Sequence, residues 1–111
     1  MTLTGPTPLP LDSNGREIQN TYRNMVSGNG TVTTSGTAVQ LPAHEAKIID
    51  IINPTTNADI LVIGDSNVSY ASLKGIPIQP GFTYRLNVNN LDDIWIDAAG
   101  NGYTFSYNYF Y

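Results

Sequence analysis

Apolar and polar side chains alternate without a break over residues 82–88, with Phe82, Tyr84, Leu86 and Val88 on one side and Thr83, Arg85 and Asn87 on the other. Successive β side chains point to opposite faces, so the pattern predicts a half-buried strand. A turn precedes it at Pro80-Gly81, where proline presets φ and glycine accepts the positive φ that follows. The same period of two returns over residues 103–111: Tyr103, Phe105, Tyr107, Tyr109 and Tyr111 share a face against Thr104, Ser106 and Asn108. Residues 47–52 are dense in β-branched side chains and stop at Asn53-Pro54, because the residue before a proline is biased away from helix. Residues 60–63 form a continuous apolar run between Asp59 and Gly64. Its length suits a strand buried on both faces, although period alone does not separate it from helix. Shorter β-prone segments fall at 31–34, 37–41 and 93–98, the last with Ile94 and Ile96 on one face and Trp95 opposite. Residues 68–73 read as a loop or a short edge strand, and residues 43–46 offer one helical turn at most.

These segments amount to about seven short strands, with turn signals every eight to twelve residues or so and no convincing helix, which predicts an all-β fold: an antiparallel β-sandwich or jelly roll. The upstream region reads differently. Pro6, Pro8 and Pro10 alternate with other residues, which favours an extended path and removes backbone donors. A turn follows around Asn14-Gly15. The expected division is an extended N-terminal arm over residues 1–29 and a sandwich over 30–111. The arm's apolar anchors are too sparse to make a core alone. A domain of roughly 80 residues buries only about 60–65% of its unfolded surface, so oligomerisation, with the arm draped over a neighbour, is a natural source of further burial.

Composition narrows the chemistry. Cysteine is absent, which removes disulfides, thiolate catalysis and zinc–cysteine sites together. The net charge is −4, and the fixed cations are Arg16, Arg23, Lys47, Lys74 and Arg85, which argues against binding a nucleic-acid backbone. No apolar run approaches the roughly eighteen residues of a membrane span, and the first residues do not read as a secretory leader. Asn29-Gly30-Thr31 and Asn67-Val68-Ser69 match the N-glycosylation triplet and are read as chance matches in a chain rich in Asn, Ser and Thr.

Candidate reactive groups are few. His44, the single histidine, has Glu45 as its local carboxylate and reads as a loop histidine rather than a base or ligand. Asp92, Asp93 and Asp97, with Asn89 and Asn90, form the densest oxygen-rich group. Their spacing fits neither the EF-hand nor, by itself, a glycosidase pair, so a polar turn is the simpler reading. Asp65-Ser66-Asn67 is a similar turn. The tyrosine-rich terminus admits three readings: a core or subunit-contact face, a surface that stacks on sugars, and a base-stacking platform lacking the cations it would want. No catalytic residue, metal site or cofactor is expected.

The succession Lys47-Ile48-Ile49-Asp50-Ile51-Ile52-Asn53-Pro54, then Ile60-Leu61-Val62-Ile63-Gly64-Asp65-Ser66-Asn67-Val68, then Gly75-Ile76-Pro77-Ile78-Gln79-Pro80-Gly81, resembles small virion proteins of tailed bacteriophages. The likeness covers most of residues 31–108 and rests on structural turns and strands. The proline-containing arm is similar to the extended termini by which such proteins attach to a capsid or a neighbouring subunit. The resemblance implies a β-sandwich carried on the particle in head decoration, head fibre, connector or tail roles, and it transfers no catalytic residue. The expectation is therefore a capsid decoration (cement) protein on the outer surface of the head, made in the host cytoplasm. It would be a homo-oligomer, with a trimer favoured, and its partners would be the major capsid protein or other virion subunits; neither nucleic acid nor membrane is expected as a partner. Arm contacts would come from Leu3, Pro6, Pro8, Leu9, Leu11, Ile18 and Tyr22, and subunit or ligand contacts from Trp95, Tyr107, Tyr109 and Tyr111. Two rivals are a tail or head-fibre module binding host-surface carbohydrate or receptor, and a hydrolase needing His44 and distant carboxylates to converge.

Overall fold

A computed structural model describes residues 24–111. The arm residues Leu3, Pro6, Pro8, Leu9, Leu11, Ile18 and Tyr22, and the turn at Asn14-Gly15, lie outside the described residues. Eight strands follow one another: β1 (Met25–Val32), β2 (Val39–Gln40), β3 (Ile48–Ile52), β4 (Leu61–Gly64), β5 (Ile76–Ile78), β6 (Thr83–Asn87), β7 (Trp95–Ala98) and β8 (Tyr103–Phe110). They make two four-stranded sheets, in the orders β1-β8-β3-β6 and β2-β7-β4-β5, and every pairing is antiparallel. A single 3-10 turn spans Leu91–Asp93. Among the described residues there is no α-helix, and hence none long and apolar enough to cross a membrane.

Both sheets feed one core. Val32, Ile49, Ile51 and Phe105 enter it from the first sheet, and Leu61, Ile63, Ile78 and Ile96 from the second. Leu41 and Leu91 close it from the connecting segments. Of the run 60–63, residues 61–63 are strand and Ile60 lies just before it; β4 is buried on both faces as its composition suggested. Its outward Val62 is covered by the loop 65–75, which brings Val68 down beside Gly64 and Gly75. Gly75 is fixed by that contact: its φ is +125°, and a Cβ there would stand 2.7 Å from Val62 Cγ1.

Two buried asparagines pin the sheets together. Asn53 Nδ2 donates to the Ile78 carbonyl at 2.7 Å and to the Asp59 carbonyl at 3.1 Å. Asn57 Nδ2 donates to Asn53 Oδ1 at 2.7 Å and to the Thr104 carbonyl at 2.6 Å, while Thr104 N–H donates back to Asn57 Oδ1 at 3.2 Å. The chain β5–Asn53–Asn57–β8 thus gives each buried amide its partners, as burial requires.

Several boundaries differ from the sequence expectation. Among the described residues the strands number eight rather than seven. The additional strand is β5, whose central Pro77 lies on the edge of the second sheet, where a missing N–H costs no ladder bond. The first strand begins at Met25, before the boundary expected at 30, and Gly28 and Gly30 lie inside it. The segment 37–41 contributes only Val39–Gln40. Residues 68–73 form a loop closed by the Ser69–Lys74 bridge, and residues 43–46 are not helical, since Glu45 bridges Asn90 instead.

Candidate functional site

Strand β6 ends the first sheet and β5 ends the second, so the layer between the sheets opens to solvent along this side. Leu86 stands opposite Ile49 and Tyr84 opposite Ile51 in the β3–β6 ladder. Directly opposite residues share a face, and both isoleucines are fully buried, so Tyr84 and Leu86 lie on the core-facing side of β6. Phe82 continues that row. Yet Phe82 is 64% exposed and Tyr84 38%. The sequence expectation of a half-buried strand is thus corrected: the alternation identifies the apolar face, but the face lacks a full cover.

The row leads into a groove of about 310 Å³. Ile63, Ile76, Leu86, Val88 and Ile94 form its apolar walls, and Asn89 and Asp93 give it a polar rim. Such a surface suits aliphatic side chains of a peptide. Nothing local in the sequence joins Ile76 and Ile94 to β6; strand order alone brings them together.

Across the outer face of the first sheet, Arg85 forms a two-pronged bond to Asp50: Nε to Oδ1 at 2.7 Å and Nη2 to Oδ2 at 2.9 Å. The bonds from Arg85 hold the Asp50 carboxyl below the usual carboxylate range. Burial of Tyr107 pushes its phenol above the usual value, with Tyr109 adding to the effect.

The oxygen-rich group does not converge. Asp97 is fully buried, its Oδ1 accepting from Gly36 N–H at 2.9 Å and Ala98 N–H at 2.8 Å, and its Oδ2 from Tyr70 N–H at 2.9 Å. It therefore ties the loops 33–36 and 65–75 to β7. Asn90 Oδ1 caps the 3-10 turn by accepting from Asp92 N–H and also takes His44 N–H at 2.9 Å. Asp65 closes its own turn by accepting from Asn67 N–H. Among the described residues no group of three His, Cys, Asp or Glu side chains is placed to hold a metal.

The aromatic candidates separate. Tyr107 and Tyr109 are core residues, 7% and 8% exposed, which corrects their expected role as subunit or ligand contacts. The physical reason is in β1, whose inward positions opposite them and Phe105 are Val26, Gly28 and Gly30. The Tyr107 ring fills the space over Gly28 and the Phe105 ring the space over Gly30. Tyr111 and Trp95 remain half-buried. The His44 ring packs against Tyr109 and Tyr111, with centroids 5.0 and 4.6 Å away, and its Nδ1 donates to the Glu45 carbonyl at 2.7 Å. Imidazole here works as a packing ring at the end of β8.

No protein-family model matches the chain, and no curated protein matches it. Among solved structures, a protein of Bacillus endospore appendages, described as a novel family of disulfide-linked pili, is similar at 19% identity and a TM-score of 0.48. The match covers 94% of this chain and 98% of that one. A likeness at this level carries no argument about this chain, which has no cysteine.

Proposed function

We propose that the chain is a structural virion protein of a tailed bacteriophage, a capsid decoration (cement) protein that attaches to the head shell through its N-terminal segment and stabilises it as a trimer. The strand orders 1-8-3-6 and 2-7-4-5 fit an eight-stranded jelly-roll sandwich, an architecture used in capsid domains. The observation that carries the reading is the exposed apolar pair Phe82 and Tyr84, which continues the half-buried Leu86 beside the groove. A face of this kind on a small domain marks a contact with another chain. Many copies on a lattice make weak contacts effective, because each attachment raises the local concentration for the next. Electron microscopy of purified particles, with mass measurement of the free protein, tests the proposal. Added density on the head surface and a trimeric mass are expected; a protein absent from particles overturns it.

A further inference from the structure

We propose that the free edge of β1 pairs with β1 of a second copy of this chain, antiparallel about a two-fold axis between the two Gly28 residues, which joins their four-stranded sheets into one. The inference goes beyond the reading above: a two-fold contact does not build a trimer but ties one trimer to the next. The two sheets end in four edge strands, β1, β6, β2 and β5. A bare edge is a template for another strand, and proteins blunt it with short length, proline or charge. Three of these edges are blunted. β2 has two residues, β5 has three with Pro77 at its centre, and β6 carries Arg85 at its centre. β1 has eight residues and contains neither proline nor a charged side chain. Among the described residues no strand pairs with its outer side.

Register fixes which groups that edge offers. Asn24 and Tyr111 exchange both main-chain hydrogen bonds, each 3.1 Å long. In an antiparallel ladder such pairs alternate with pairs whose N–H and C=O point away from each other. Val26, Gly28 and Gly30 therefore bond to β8, while Met25, Ser27, Asn29 and Thr31 turn their main-chain groups outward. One self-pairing uses all four: Gly28 stands opposite Gly28, Ser27 opposite Asn29, and Met25 opposite Thr31 of the second copy. Each outward pair exchanges two bonds, giving about eight, close to the ten or so direct bonds of a standard interface. This self-complementarity selects a second copy as the occupant. No like charges oppose each other in that register, and no two bulky side chains meet: Met25 faces a threonine, and Val26 faces a glycine. The contact is isologous, so it closes on itself. One such contact is weak alone, but copies clustered on a lattice reinforce it through local concentration.

The chain has no cysteine of its own to compete in cross-linking. Full-length Met25→Cys and Thr31→Cys proteins, mixed under mild oxidation, should give a mixed disulfide dimer, since residues of a bonded pair stand about 5.5 Å apart, within disulfide reach. Each variant alone holds its two thiols roughly 20 Å apart along the strands and should yield at least tenfold less. A mixed yield equal to the single-variant yields overturns the proposal, as does preferred self-coupling of Met25→Cys, the mark of a parallel pairing. In the unsubstituted protein the amides of Ser27 and Asn29 should gain protection from exchange as concentration rises, while those of Val26, Gly28 and Gly30 are protected throughout. Fast exchange of Ser27 and Asn29 at every concentration overturns it. Slow exchange without the mixed disulfide also does, because another segment then lies on the edge. Asn29→Pro removes an outward N–H and no bond to β8, and should lower the protection of Ser27 at least tenfold. Ser27→Lys/Asn29→Lys, which sets like charges opposite each other, should abolish the concentration dependence without touching the main chain. Association undiminished in both variants overturns the pairing. Cross-linking without attachment to purified heads refutes the decoration reading alone, and head attachment without cross-linking refutes this contact alone.

Discussion

A Cβ on Gly28 would stand 2.5 Å from Cζ of Tyr107, so the tyrosine ring occupies the space that any larger residue there would need. Gly30 stands in the same relation to Phe105. The inward face of β1 is thus half glycine, and the aromatic side chains of β8 supply the apolar surface that β1 lacks. Gly28→Ala should destabilise the fold by about 1–3 kcal/mol, the usual cost of overpacking a filled site. Thr31→Ser, on the exposed face of the same strand, should stay within about 0.5 kcal/mol. Denaturant titration of both variants checks this, and equal stabilities would refute the packing account.

Asp97 satisfies three backbone donors from a fully buried position. Asp97→Ala should cost about 1–3 kcal/mol for each donor left without a partner. Because one carboxylate holds both loops, amide exchange should rise together in 33–36 and 65–75. Exchange that rises in one loop alone would show that the two are anchored independently.

Asp50 has a depressed pKa through its bonds to Arg85. A carboxyl whose folded pKa lies below its unfolded value, near 3.9, contributes stability above that value and loses it as pH falls through the folded pKa. The pair lies on the surface, with 61% of the arginine side chain exposed, so the contribution should be at most about 1 kcal/mol. Asp50→Asn should therefore show a smaller loss of stability than the parent between neutral pH and pH values below about 4. Parallel stability curves for the two proteins would refute this role.

Tyr107 titrates in the opposite sense. Its phenol is held protonated by burial, so its folded pKa exceeds the unfolded value of about 10. The associated stability is complete below that unfolded value and is lost as pH rises through the folded one. Alkaline spectrophotometric titration should find a late phenol ionisation coupled to unfolding. Tyr107→Phe should lose that late step and resist alkali better, relative to its own stability at neutral pH, than the parent does.

Most of the sheet-forming residues were legible because their side chains report their surroundings. Tyr103 through Tyr111 alternate since one face of β8 is interior, and Leu61, Val62 and Ile63 run together since both faces of β4 are covered. β1 was hidden for the converse reason: Gly28 and Gly30 carry no apolar atoms of their own, and their burial is set by rings from residues far along the chain. Pro77 disguised β5, because a proline argues against a strand except at an edge, and edge position is a property of the assembled sheet. The same holds at the groove. The period of Phe82, Tyr84 and Leu86 points to one side of a strand, but whether anything lies above that side is decided by the packing of the second sheet. Asp97 looked like one member of an acidic turn; its burial arises from two loops folding over β7.

The ladder between β1 and β8 joins Met25 to Phe110 and Val32 to Tyr103. Of the described strands these are the first and the last to be made, so the first sheet cannot be completed until β8 has left the ribosome. Until Tyr103–Phe110 emerges, the glycines of β1 have no rings above them and β3 lacks one of its neighbours. Closure across so large a sequence separation is slow, in the range of milliseconds to seconds for such topologies. The chain is therefore exposed to sticking to its neighbours for as long as Tyr103–Phe110 has not yet joined the sheet.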